Sequence, residues 1–153
     1  MTTAYKRPES VLVVLYNEHQ QVLVLQRDDD PYFWQSVTGS LEDDETPIQT
    51  ARREVLEETN INLYHHPLSV IDCRLTNQYH IRPDWQSRYA PGVNVNHEYV
   101  FCAQVSRAVD IKLTEHLQYL WLAKQDAIDK VWSPSNKAAI DKYVPQRQLC
   151  KSS

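Results

Sequence analysis

A chain of 153 residues with a formal net charge of -4 and a sequence pI near 5.8 excludes a domain that grips nucleic acid through a broad basic surface. Its 42% hydrophobic and 24% charged residues exclude a disordered chain, and its length suits a single domain over residues 1–153. Three cysteines, Cys73, Cys102 and Cys150, lack CxxC spacing and form an odd set, which excludes a disulfide framework and a zinc ribbon.

Met1 to Pro8 has no signal-peptide character, and no run approaches the roughly 20 apolar residues that span a bilayer. A soluble cytoplasmic protein without a membrane partner is therefore expected, as a monomer or weak homodimer. Only two glycines occur, Gly39 and Gly92, against an average usage of about 7%, so each marks a place where a side chain is poorly tolerated.

Ser10 to Tyr16 (SVLVVLY) and Gln21 to Gln26 (QVLVLQ) are β-branched and Leu-rich runs around a polar turn, Asn17 to Gln20, which predicts a hairpin. Ser36 to Thr38 predicts a short strand leading into Gly39. Thr46 as N-cap, Pro47 at the first helical position and Gln49 closing a T-x-x-Q capping box predict a helix over 47–59, with Asn60 as its left-handed cap. Ile48, Ala51 and Val55 supply its apolar stripe.

Ile61 to Arg74, Asn94 to Val105 and Tyr119 to Leu122 predict further strands, with a loop, partly mobile, between Leu75 and Gly92. Ser133 to Val144 predicts a closing helix that packs through Ala138, Ala139, Ile140 and Tyr143. Strands, helix, strands, helix indicate an α+β or sandwich fold.

Chemistry concentrates in the first helix, where Glu54, Glu57 and Glu58 share one face at i, i+3 and i+4. Like charges at these spacings repel, and they stand toward the negative end of the helix dipole. A divalent cation relieves that repulsion, and hard oxygen donors suit Mg2+ or Mn2+. An acidic helix face alone is more often a solvated surface. The surroundings reverse that judgement, because Gly39, Glu45, Arg53, Glu54, Val55, Glu57, Glu58 and Ile61 fit G-x5-E-x7-R-E-U-x-E-E-x-x-U, U being a bulky aliphatic. On average residue usage such a match arises by chance on the order of one time in ten million.

This pattern resembles the Nudix hydrolase family, with Asn60 where the family usually has a second glycine. The resemblance implies a Nudix-type α/β/α sandwich, a mixed β-sheet with the first helix on one side and the C-terminal helix on the other. It implies Glu54, Glu57 and Glu58 as metal ligands with the Gly39 carbonyl, and Glu45 bracing Arg53 through a bidentate contact. Beyond the motif, YKRP from Tyr5, LQRDDDP from Leu25, FWQSVTGS from Phe33, IDC from Ile71, RYAPGV from Arg88 and TEHL from Thr114 resemble the bacterial dihydroneopterin triphosphate pyrophosphohydrolases of folate biosynthesis. Glu115 in TEHL matches an acidic position of that group, where a carboxylate ligates metal or takes a proton from water.

A small-molecule triphosphate needs cations, and Lys6, Arg7, Arg27, Arg82 and Arg88 are candidates. Phe33, Trp34, Tyr79, Trp85 and Tyr89 are candidates to stack on a flat heterocycle, with Thr38 and Ser135 as hydrogen-bonding groups. Two alternatives stay open at this point: a broader nucleoside triphosphate pyrophosphohydrolase, and a non-catalytic nucleotide sensor.

Overall fold

In the computed structural model, residues 5–65 and 70–146 are described; Cys150 and the first four residues lie outside that range. Among the described residues, seven strands form one mixed sheet. Its centre is β1 (Glu9–Tyr16), whose residues Val11 to Tyr16 are all buried. Burial of consecutive residues means that both faces are covered, since alternate side chains point to opposite sides.

The turn after β1 is built by Asn17, whose Oδ1 accepts from the His19 and Gln21 amides at 2.8 and 3.1 Å, while Gln20 takes a positive φ of 56°. β2 (Gln21–Arg27) returns as the expected hairpin, yet the two strands pair only at Tyr16 and Val22. They then diverge, and the chain at 34–40 fills the fork. β3 (Trp34–Gln35) pairs with β2, and β4 (Val37–Ser40) pairs with β1.

Ser36 is the bend between β3 and β4, and it is pinned from afar. Its amide donates to Asn136 Oδ1 at 2.9 Å, and Asn136 Nδ2 donates to its hydroxyl at 2.9 Å. Asn136 is 1% exposed and Ser36 fully buried, so each partner is the other's replacement for water.

The first helix, α1 (Pro47–Thr59), has the foreseen ends. Thr46 and Gln49 form a capping box, Pro47 sits in the first turn, and Asn60 closes it in the left-handed conformation at φ 69°. Ala51 and Val55 are fully buried and Ile48 packs beside them, covering the face of the sheet that carries Val11, Val13, Phe101 and Leu25.

The predicted strand over 61–74 is corrected. Ile61 and Leu63 are buried beneath α1, and the Asn62 side chain accepts from the Tyr64 amide at 3.0 Å, starting a 3-10 turn at Leu63–His65. The strand itself, β5, is Val70–His80. The region read as a loop from Leu75 to Gly92 thus begins as strand, through His80, followed by a 3-10 turn at Pro83–Arg88.

β6 (Val95–Gln104) runs parallel to β1 and antiparallel to β5. β7 is longer than expected, His116–Ala123, and pairs with β2. A short helix that the sequence did not suggest, α2 (Lys124–Lys130), follows directly. The closing helix α3 is Pro134–Tyr143 with Ser133 as N-cap; Ala139 and Ile140 are buried as expected, whereas Ala138 faces outward. α2 and α3 cover the second face, where Leu12, Val14, Val24 and Val100 lie. Helices on both faces of a mixed sheet give the expected sandwich. Among the described residues no helix is long and apolar enough to cross a membrane.

Candidate active site

Beside β4 and the C-terminal half of α1 lies a cavity of about 850 Å³, within the size range of small-molecule sites. It gathers residues from seven separate segments of the chain. From the expected set, Lys6, Arg27, Thr38, Gly39, Glu54, Glu58, Tyr79, Arg88 and Glu115 line it. Glu57, Arg82 and Ser135 do not.

Each outlier has another partner. Glu57, with its side chain 57% exposed, lies against Arg53 at 3.2 Å. Arg82 is stacked between rings, 5.1 Å from the centroid of Phe33 and 4.7 Å from that of Trp85. The Ser135 hydroxyl donates to Glu98 Oε1 at 2.8 Å. Of the aromatic candidates, Tyr79, Trp85 and Tyr89 line the cavity, Trp34 is core at 6% exposure, and Phe33 stacks on Trp132.

Arg53 organises the loop before α1. Its Nε and Nη2 donate to the two oxygens of Glu45 at 2.7 and 2.9 Å, and Nη2 also donates to the Ser40 carbonyl at 3.0 Å. This bidentate fork fastens residues 40–45 to the helix. It also holds the Glu45 carboxyl far below the ordinary range, at about 2. Nη1 reaches Glu54 Oε1 at 2.6 Å, so Glu54 divides its interactions between Arg53 and the cavity.

The acids of the cavity carry unfavourable charge. Burial, opposed by Arg53 but reinforced by Glu57 and Glu115, raises Glu54 to about 7. Burial and then repulsion from Glu54 and Glu115 push Glu58 well above the carboxylate range. Glu58 Oε2 is buried without a hydrogen-bond partner, and its other oxygen lies 3.6 Å from His116 Nε2. Desolvation, followed by the Arg27 charge, lowers the His116 pKa, so the imidazole adds little positive charge.

A hard divalent cation answers both conditions, an unpaired buried oxygen and mutually repelling carboxylates. Gly39 fits the same reading, because a Cβ there would overlap the Glu54 carboxylate; the loop backbone can approach that group only as glycine. Among the described residues, no three His, Cys, Asp or Glu side chains stand close enough as placed to enclose an ion, with Glu54 and Glu57 both drawn onto Arg53.

The opposite charge is concentrated on the facing wall. Arg27 donates to Gln35 Oε1 at 3.1 Å and pairs with Asp29, and its guanidinium lies 5.1 Å from the Trp85 ring centroid. Lys6 is tied to the Pro83–Arg88 turn by its amide, which donates to the Arg88 carbonyl at 2.9 Å. Desolvation and then repulsion from Arg88 lower its ammonium pKa, a measure of how closely the cations are grouped. Carboxylates beside clustered cations suit a phosphorylated substrate that reaches the acids through metal.

Sequence reasoning missed Ser10, Gln35, Ile81 and His116 as lining residues. Ser10 read as an ordinary strand position and Gln35 as part of the segment before one, and only the sheet register brings them to the site. His116 carried one available signal, its place next to Glu115.

Comparison with known proteins follows the same outline. The NUDIX domain family model matches residues 6–146. The dihydroneopterin triphosphate diphosphatase of Escherichia coli (strain K12) is 48% identical over 141 residues, covering 92% of this chain and 94% of that protein. The Haemophilus influenzae protein of the same name is 40% identical, covering 92% and 89%. The solved structure of the E. coli dihydroneopterin triphosphate pyrophosphohydrolase superposes with a TM-score of 0.86 at 47% identity, covering 93% of this chain and 98% of that one.

Proposed function

The chain belongs to the NUDIX family of hydrolases, and on that premise we propose that it hydrolyses dihydroneopterin triphosphate to dihydroneopterin monophosphate and pyrophosphate as one catalytic domain over residues 1–153. The 48% identity over 92% of the chain to a diphosphatase of that substrate carries the reading. The cavity supports it, with acids, cations and aromatic rings on one surface.

Glu54, Glu58 and Glu115, with the Gly39 carbonyl, are the residues to hold Mg2+, with Mn2+ as a substitute; Glu57, implied as a ligand by the family resemblance, would join them by rotating away from Arg53. Bound there, the metal neutralises phosphate charge and polarises the phosphoryl oxygens. Lys6, Arg27 and Arg88 hold the remaining phosphate oxygens and orient the chain of phosphates for in-line attack by water. A carboxylate among Glu54, Glu58 and Glu115 accepts the water's proton. Tyr89 offers a face for the flat heterocycle, with Thr38 and Tyr79 as polar contacts, while Trp85 carries the Arg27 and Arg82 guanidiniums over its ring. Arg82 packs on Trp85 and Ser135 donates to Glu98, so neither meets the substrate in this arrangement.

The substrate is small, so neither nucleic acid nor membrane is a required partner, and the enzyme works in the cytoplasm. Pyrophosphate release from dihydroneopterin triphosphate and dATP, with and without Mg2+, tests the reading. Release should depend on Mg2+ and strongly favour the pterin; an equal or reversed preference defeats the assignment in favour of a broad nucleotide pyrophosphohydrolase, and no release from either defeats catalysis.

A further inference from the structure

One part of the cavity wall is built from hydroxyls whose direction is fixed by a buried amide. Ser10 of β1 and Tyr79 of β5 both line the cavity, and Asn96 of β6 lies between them. The register pairs Tyr79 with Asn96 across β5 and β6, while parallel pairing with β1 brings Ser10 alongside. Asn96 is 1% exposed, and its Nδ2 donates to Ser10 Oγ at 2.8 Å and to Tyr79 Oη at 3.0 Å.

In the orientation found both Nδ2 protons are matched by hydroxyl oxygens, and the amide oxygen, Asn96 Oδ1, is the group left without a partner. Both hydroxyl oxygens therefore accept from Asn96. The Tyr79 phenol oxygen, already accepting from Asn96, has its own proton to offer. Burial raises the Tyr79 pKa to about 12, which keeps that proton in place. A neutral donor rigidly presented at a cavity wall is matched by an acceptor on the ligand, and a site built around such a bond rejects analogues that lack the acceptor.

We propose that Ser10, Asn96 and Tyr79 form a one-way donor clamp that selects substrates whose heterocycle presents a ring carbonyl, Tyr79 donating to that oxygen and Asn96 acting as the positioning residue. The inference rests on the function proposed above, since a pterin carries such a carbonyl, and it adds the basis for choosing among flat ring systems. An exocyclic amine at the same place would set donor against donor. Stacking alone cannot make that distinction, because every such ring has a π face.

Inosine triphosphate and ATP differ at this edge of the base and share the remaining groups, so their kcat/KM ratio reads the clamp directly. The intact enzyme with Mg2+ should favour inosine triphosphate by about 10- to 100-fold. Tyr79→Phe, which removes a single oxygen, and Ser10→Ala should bring the ratio to within about threefold, the loss for inosine triphosphate falling mainly on KM. Asn96→Leu should do the same without touching the substrate, and the first two variants keep the test decisive if it does not fold. Equal treatment of the two nucleotides by an enzyme that cleaves dihydroneopterin triphosphate overturns the clamp and leaves the proposed function standing. An unchanged ratio in both single-oxygen variants overturns it as well. An enzyme inert toward the pterin but selective for inosine triphosphate overturns the function while supporting the clamp.

Discussion

Replacing Arg53 by Lys keeps the charge and removes the fork. The guanidinium makes two bonds to Glu45, one to Ser40 and one to Glu54, between 2.6 and 3.0 Å, and an ammonium on a shorter chain can keep at most one or two. Hydrogen bonds to charged groups contribute about 1.5–3 kcal/mol each, but Arg53 and Glu45 are each 20% exposed at the side chain, and solvent screening lowers their share. The expected loss is about 2–3 kcal/mol, which for a chain of this length lowers Tm by about 5–10 °C. Urea melts followed by tryptophan fluorescence should show a lower midpoint with an unchanged slope. In a double-mutant cycle, Arg53→Lys with Glu45→Gln should cost clearly less than the sum of the single changes. A midpoint within about 0.5 kcal/mol of the parent, or simple additivity, would refute the brace.

The same pair governs acid stability. With Glu45 at about 2 in the fold against an ordinary 4.5, its contribution is fully present above about pH 4.5 and is lost as pH falls toward 2; after screening, that is about 1–2 kcal/mol. Glu45→Gln should flatten the stability curve across this window, and an unchanged curve would count against the assignment. Glu58→Gln should lower kcat by at least about 100-fold in a folded protein, so near-normal Mg2+-dependent turnover would exclude Glu58 from the metal site. Asn136→Ala should destabilise by about 2–3 kcal/mol by orphaning the Ser36 amide, and a melt indistinguishable from the parent would show that the bend holds without it.

Local signals were legible in the sequence to the residue. The capping box of Thr46 and Gln49, the proline between them and the left-handed Asn60 stand as expected, because each depends on neighbours a few positions away. The Arg53–Glu45 contact was legible through family resemblance, across eight residues. The reading failed where a partner decides the structure. Ile61 and Leu63 look like the start of a strand, but they anchor the end of α1, while the polar stretch Asn77, Gln78 and Tyr79 is a strand because β6 supplies its hydrogen bonds. Helix α2 has no side-chain cap at Ala123, so nothing announced it. The site followed the same division: the acids of α1 were visible, whereas the approach of Ser10 to Asn96, 86 residues apart, is a property of the sheet.

The bend at Ser36 also bears on the order in which the chain assembles. Its lock, Asn136, is 100 residues further along the chain, so closing it is among the longest-range events in folding and comes late when the chain is made from its N-terminus. A nascent chain already carries Gly39 and the α1 acids well before α3 exists, and β4 can already pair with β1, but the buried Ser36 amide and hydroxyl lack their partner until α3 docks. Fragments released before Asn136 would carry the whole motif with this bend unpinned.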